Sequence, residues 1–207
     1  MKAILLSTFF GPVQWYQKLN RYEEVYLESD ADSYMKQSYR NRCLIATTNG
    51  VQALTVPVSV ETSPYGKTVR ISDHGNWRHQ HWQALTSAYG DSPFFQYYED
   101  DLRPFFTERW EFLLDYNEAI RQRMCVLLDV LPKVFLCSRP TIEHEKMENI
   151  GDFADFREVI DAKHPLPDAT FQPRRYYQVY ERKHGFLPNL SVLDLLFNMG
   201  PEGIFYL

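Results

Sequence analysis

Two arginines flank an asparagine at the start of a predicted β-strand. In the stretch QSYRNRCLI, Arg40 and Arg42 stand two residues apart, so in an extended strand they share one face while Asn41 points to the other. Guanidinium groups bind phosphate and carboxylate oxygens through paired hydrogen bonds, and Lys36 lies nearby in sequence. The pattern indicates either a clamp for an anionic ligand or a strand end whose arginines pair with acidic side chains.

The segment DHGNWRHQHW holds a second group of chemically capable residues, His74, His79 and His81. On a helix that begins at Trp77, His79 and His81 point about 200° apart, and no two histidines have the His-x-x-x-His spacing of a helical zinc site. We therefore predict no metal site. His81 shares a helix face with Trp77 and Leu85 and is expected to point inward, either as a hydrogen-bonded core residue or as a general base. His79 is expected to face outward.

The sequence contains none of the common nucleophile or phosphate-binding motifs. Gly-x-Ser-x-Gly, the P-loop and Gly-x-Gly-x-x-Gly are all missing, and no cofactor is indicated. The three cysteines, Cys43, Cys125 and Cys137, are odd in number and widely separated. They are typical of reduced thiols in a cytoplasmic protein rather than of a disulfide framework, and Cys43 is expected to be a buried structural thiol.

Length and charge narrow the classes of protein to consider. The 207 residues suit one domain, and a net charge of −5 argues against a nucleic-acid partner. No window approaches the roughly 18 consecutive apolar residues of a membrane span, and the interrupted N-terminal run does not predict a signal peptide. Aromatic residues form 15% of the chain, enough to supply both a core and a flat surface for a sugar ring.

The secondary-structure elements that position these residues begin, in chain order, with a strand, a helix and a second strand. KAILLSTFF (2–10) and EEVYLES (23–29) predict strands on either side of the helix VQWYQKLNRY (13–22), a βαβ-type start with a parallel pair. A β-hairpin follows over residues 42–58, with Asn-Gly expected in a type I′ turn, and KTVRIS (67–72) predicts one more strand.

Helical patterns dominate the rest of the chain. The predicted elements are a helix over 77–89 capped by Asn76, a helix from Ser92 and Pro93 that ends at Pro104, a long helix over 107–131 broken near Asp115, a strand over 133–138, a helix over 151–163, and a final helix whose Ser191 and Asp194 form a capping box before Gly200-Pro201. The predicted fold class is α/β in one domain over residues 1–207. Its N-terminal third is strand-rich, with the βαβ-type start and the hairpin, and the remainder is mainly helical.

These segments together resemble the WbqC-like protein family. The resemblance lies in LSTFFGPVQWYQKL, QSYRNRCLI with LTVPV, NWRHQHWQAL followed by AYGDSPFFQYY, and GFLPNLSVLDLLFNMGPEG. It implies a role in O-antigen or other surface-polysaccharide biosynthesis, with glycyl or acyl transfer onto an amino sugar. Under that resemblance, Arg40 and Arg42 would hold the diphosphate of a nucleotide-linked sugar, and aromatic residues would lie against the sugar.

Two main functional hypotheses follow. The first is a cytoplasmic transferase that modifies a nucleotide-linked amino sugar or another small anionic substrate, with His81 as its catalytic residue. The second is a non-catalytic binding or scaffolding protein of the polysaccharide assembly machinery. A nucleotidyltransferase-like enzyme is a third reading of the strand–helix–strand start, but the His-x-Gly-His signature is missing. The predicted substrate-binding residues are Gln14, Lys36, Arg40, Asn41, Arg42 and Trp82.

Overall fold

The computed structural model of the chain describes residues 1–31, 34–64, 66–149 and 151–207. Within these ranges the strands are β1 (Lys2–Leu6), β2 (Glu24–Glu28), β3 (Arg42–Thr47), β4 (Gly50–Thr55), β5 (Val58–Ser63), β6 (Gly66–Ile71), β7 (Val134–Cys137) and β8 (Phe153–Asp155). The helices there are α1 (Val13–Arg21), α2 (Trp77–Tyr89), α3 (Phe95–Leu102), α4 (Pro104–Thr107), α5 (Leu113–Leu127), α6 (Arg139–Glu148), α7 (Glu181–His184) and α8 (Val192–Met199), and a 3₁₀ segment covers Gly200–Tyr206.

A parallel sheet in the order β7-β2-β1-β8 forms the base of the fold. β1 pairs with β2 on one side, with Ala3 opposite Val25, and with β8 on the other. Ala3, Ile4 and Leu5 are buried, as expected for a continuous apolar strand that is covered on both faces. The predicted strand–helix–strand start and its parallel pairing are confirmed.

The predicted hairpin is confirmed as β3 and β4, but its turn is of another kind. Thr47 pairs with Gly50, which leaves Thr48 and Asn49 as the turn residues. A type I′ turn requires positive φ at both central residues. Here the positive φ, 104°, belongs to Gly50, and Asn49 does not have one, so the predicted Asn-Gly type I′ turn is wrong. β6 matches the predicted strand at 67–72, and it pairs with β5, which follows the predicted hairpin and was not predicted as a strand.

The central helices follow the predictions at some ends and depart from them at others. α2 covers the predicted residues, although the Asn76 side chain makes no capping bond. α3 begins at Phe95 because Ser92 Oγ donates to the Tyr89 carbonyl instead of capping a helix. The predicted helix over 107–131 is shorter, since α5 covers Leu113–Leu127 and runs continuously through Asp115.

The predicted helix over 151–163 is wrong. Residues 153–155 form β8, with Phe153 opposite Lys2 and Asp155 opposite Ile4. A weak helical pattern gives way here because a neighbouring strand supplies backbone partners from more than a hundred positions away, and context of this kind overrides propensity. α6, which starts close to Pro140, was not predicted.

The C-terminal helix α8 is buried almost completely. Ser191 Oγ accepts a hydrogen bond from Leu193 N, so the predicted N-cap is confirmed, and α8 ends before Gly200 as expected. Asp194 does not complete a capping box. Its carboxylate accepts hydrogen bonds from Tyr89 Oη (2.9 Å), Tyr176 Oη (2.7 Å) and Gln178 Nε2 (2.9 Å), because the side chain turns into the core.

The cysteines are free thiols in different environments. Cys43 and Cys125 are buried, as predicted for Cys43, and Cys137 is partly exposed. Burial raises the pKa of the Cys43 thiol to about 12, so it stays protonated and unreactive at neutral pH.

Among the described residues, no helix combines the length and the apolar character needed to cross a membrane.

We expect Asp194→Ala to destabilise the protein by about 3 kcal/mol or more, because it removes the acceptor of two buried tyrosine hydroxyls and one acceptor of the Gln178 amide, which keeps the Leu187 carbonyl. Urea unfolding followed by circular dichroism measures the effect. Glu202→Ala, at an exposed position in the following 3₁₀ segment, is the control and should change stability little. Equal losses in the two variants would show that the Asp194 network does not support the core.

Candidate functional site

A cavity of about 330 Å³ opens at the carboxyl ends of β1 and β2; we call it cavity A. Its polar and aromatic walls include Ser7, Asp30, Tyr34, Arg40, Lys67, Phe112 and Asp115. In open parallel sheets ligands bind at this edge, in the crevice outside the carboxyl ends of the strands. Cavity A is therefore the candidate functional site.

Arg40 is the buried cation of cavity A. It lies in the turn that precedes β3 and is 5% exposed. Its Nη1 donates to the Asp30 carbonyl at 2.9 Å, and its Nη2 lies 3.8 Å from Glu28 Oε1. Burial lowers the pKa of Arg40, while the neighbouring Glu28 carboxylate acts in the opposite direction. The guanidinium keeps its charge at neutral pH, and much of that charge is already matched inside the protein.

The predicted pairing of Arg40 with Arg42 on one strand face is wrong, because β3 begins at Arg42 and Arg40 lies in the turn before it. Arg42 Nε instead donates to Thr55 Oγ1 on the neighbouring strand, at 3.2 Å. Asn41 joins the turn to the end of the hairpin, since its Nδ2 donates to the Val56 carbonyl at 2.9 Å. Neither Arg42 nor Asn41 is among the residues that line cavity A.

The structure places the other predicted binding residues outside cavity A as well. Lys36 is exposed, and Trp82 is half-buried against the rings of Phe95 and Phe106. Gln14 is buried and exchanges hydrogen bonds with Asn189, its backbone N donating to Oδ1 and its Oε1 accepting from Nδ2. The roles of these three residues in substrate binding stay predictions.

His81 points into the protein, as predicted, and His79 is exposed. The His81 ring is surrounded by Trp77, Phe9 and Phe106, at centroid distances of 5.2, 6.1 and 6.5 Å. Burial lowers the pKa of His81 to about 4, and a backbone hydrogen bond with Thr55 offsets only part of that effect. His81 is neutral at pH 7 and is not among the residues that line cavity A.

Among the residues that the structure describes, no group of three or more histidine, cysteine, aspartate or glutamate side chains is arranged to hold a metal ion.

An ion-pair cluster beside Arg40 was missed by the sequence reasoning. Glu28, 1% exposed, ends β2, and its Oε2 lies 2.6 Å from Arg157 Nη1. Arg157 also bonds Asp155 and Glu143, and these carboxylates, Asp155 above all, raise its pKa. The predicted helix over 151–163 assigned Arg157 to a helix rather than to the end of a strand. The prediction therefore gave no indication that Arg157 lies at the sheet edge where the cluster forms.

Tyr34 and Phe112, the aromatic walls of cavity A, were also missed, because neither belongs to a recognisable motif. The Tyr34 hydroxyl is buried and has no hydrogen-bond partner among the described residues, and burial raises its pKa to about 12. It is therefore a protonated hydroxyl in the wall of cavity A, and its oxygen is covered by neighbouring protein atoms.

Comparison with known proteins places the chain in a sequence family. No solved structure matches it. It is similar to "Uncharacterized protein Rv1507c" of Mycobacterium tuberculosis, with 26% identity over 230 aligned residues that cover 100% of this chain and 97% of the relative. The family model described as the WbqC-like protein family matches residues 7–165. The chain belongs to the WbqC-like protein family.

Proposed function

We propose that the protein is a transferase of surface-polysaccharide (O-antigen type) biosynthesis, which modifies a nucleotide-linked amino sugar by glycyl or acyl transfer. The observation that carries the proposal is cavity A, where a buried guanidinium and an unsatisfied tyrosine hydroxyl meet at the carboxyl edge of the parallel sheet. Family membership is consistent with the proposal.

The chemistry of cavity A suits a polar, partly anionic ligand with a flat ring. Arg40 offers a charge-assisted contact to phosphate, and Lys67 adds an ammonium at the rim. The Phe112 ring gives an apolar face for a sugar or a base, and the Tyr34 hydroxyl gives a hydrogen-bond donor when its side chain turns into the cavity. Asp115, exposed on the wall, is a carboxylate that can accept a proton from an attacking amine.

A second candidate function is a non-catalytic binding or scaffolding protein of the same assembly machinery. Two observations favour it. Glu28 already compensates Arg40, and His81, the predicted general base, lies in the aromatic core rather than on cavity A.

Calorimetric titration with UDP-N-acetylglucosamine, UDP-glucosamine and UDP tests both candidates. A ligand at a hundred times its dissociation constant stabilises the fold by about 2.7 kcal/mol, so a thermal-shift assay gives an independent reading. Mass spectrometry of mixtures with glycyl or other acyl thioesters, which release a thiol on transfer, then detects a modified sugar. Binding with product formation supports the transferase, and binding alone supports the second candidate. No binding of any of these nucleotides would remove the transferase and the ligand-binding form of the second candidate, and would leave only a scaffold that needs no nucleotide.

We expect Arg40→Lys to weaken UDP-sugar binding about tenfold, because the ammonium keeps the charge beside Glu28 but loses the planar fork. Calorimetry measures the affinity, and thermal melting should change by only a few degrees. Arg42→Lys, in the same segment but outside cavity A, is the matched control and should bind normally. Equal losses of affinity in both variants would support a clamp formed by both arginines. An unchanged affinity in Arg40→Lys would exclude Arg40 from the site.

Tyr34→Phe removes the hydroxyl that has no partner among the described residues, so the variant should be as stable as the wild type or slightly more so. The affinity for the UDP-sugar should fall about five- to tenfold, the value of one lost hydrogen bond. Tyr97→Phe, at an exposed position on α3, is the control. Loss of stability without loss of affinity would show that the Tyr34 hydroxyl serves the fold alone.

His81 should make stability depend on pH. Its pKa falls from 6.5 to about 4 on folding, so its contribution is complete above pH 6.5 and is lost as the pH falls towards 4, by about 3 kcal/mol in all. We expect His81→Gln to flatten this dependence in urea unfolding and to lose about 1–3 kcal/mol at pH 7. His79→Gln, on the exposed face of α2, should change neither quantity. If His81→Gln instead keeps its stability and transfers the acyl group about 10²–10⁴ times more slowly, His81 is the general base.

A further inference from the structure

A second cavity, of about 360 Å³, is also lined by Arg40; we call it cavity B. Leu6, Met35 and Leu166 give it an apolar wall, and Arg157 lines it together with Arg40. Met35 and Leu166 are among the large apolar side chains that the fold leaves exposed, at 68% and 50%. A ligand in cavity B would cover both.

A narrow void of about 20 Å³ at the end of β1 shares wall residues with both cavities. It shares Ser7 with cavity A and Leu6 with cavity B, and Arg40 lines all three spaces. The void is large enough for about one water molecule. Thr8, 5% exposed, also lines it, and its Oγ1 has no hydrogen-bond partner among the described residues. Ligands in the two cavities would therefore both lie against Arg40, with the void between Ser7 of cavity A and Leu6 of cavity B.

The charges around cavity B favour an uncharged ligand. Arg157 is matched by Glu28, Asp155 and Glu143, and Arg40 lies beside Glu28. The rim adds the carboxylates of Glu158 and Asp161, which would repel an anionic head group, and His164. The apolar wall is then the main source of affinity, through the burial of hydrocarbon.

We infer that cavity B binds an uncharged alkyl or acyl chain, as the site of a second ligand that meets the polar ligand of cavity A at Arg40. The role of this alkyl or acyl ligand as the co-substrate of a transfer rests on the proposed function. Its binding does not, because cavity B recognises it through residues that cavity A does not share, Leu6, Met35 and Leu166.

Methyl NMR of the protein labelled at its methionine methyl groups tests the inference with butanamide, hexanamide and octanamide as probes. The chain has five methionines, and Met35→Leu identifies the Met35 signal. Octanamide should shift the Met35 methyl signal and leave that of Met147, exposed on α6, in place. Burial of each added methylene should tighten binding about fourfold.

Leu166→Asp should weaken octanamide binding at least tenfold, because it places a charged side chain against the alkyl group of the ligand. Leu131→Asp, at the 91% exposed Leu131, is the matched control and should bind as the wild type does. Thermal melting of both variants confirms that they fold; should Leu166→Asp fail to fold, Met35→Ser, read by calorimetry, replaces it with the same expected loss.

The inference is overturned if the Met35 signal does not move, if Met147 shifts as much, if affinity does not grow with chain length, or if the two aspartate variants bind alike. If octanamide binds at Met35 and none of the UDP-sugars binds, this inference is supported and the proposed transferase is excluded. If a UDP-sugar binds and octanamide does not shift the Met35 signal, this inference is excluded and the proposed function is not.

Discussion

The fold depends on a short C-terminal segment that closes over the loop between β1 and α1. Within residues 189–192, Ser191 Oγ donates to the Phe10 carbonyl at 2.8 Å, and Val192 N donates to the Gly11 carbonyl at 2.9 Å. These bonds join positions about 180 apart in sequence. They satisfy buried backbone carbonyls that would otherwise be costly, and they fix the first loop of the parallel sheet against α8.

That closure sets the geometry of the candidate site, because the same loop begins with Ser7 and Thr8. Phe10 has a φ of 41°, a left-handed conformation that a bulky residue adopts only when its surroundings hold it there. Gly11 is required by packing: a Cβ atom at this position would lie 2.4 Å from Thr8 Oγ1. The positions of the Ser7 and Thr8 hydroxyls at the junction of the two cavities thus depend on a segment that lies outside both.

Local patterns in the sequence were enough for the parts of the fold that rest on local interactions. Apolar runs and helical periodicity predicted β1, α1 and α2, and the periodicity of α2 also placed His81 inward and His79 outward. The candidate site was less accessible to such reasoning. The alternation rule failed at Arg40 because the strand starts two residues later, and cavity A draws its walls from segments as distant as Tyr34 and Phe112. No local sequence pattern indicates that these segments lie close together.

The motifs that carry the family resemblance serve two different purposes in the structure. LSTFFGPVQWYQKL and the PNLSVLDLLF part of the C-terminal motif contact each other, and Gln14, predicted to bind substrate, pairs with Asn189 across that contact. Those two motifs supply hydrogen bonds that close the fold, and the first also lines the cavities through Leu6 and Ser7. QSYRNRCLI serves both purposes: its Leu44 carbonyl accepts a hydrogen bond from Ser191 N, while Arg40 borders both cavities and Ser38 lines cavity B. Closure does not account for the position of Arg40 at both cavities, so the turn before β3, together with Leu6 and Ser7 of the first motif, is where specificity for a ligand should be sought.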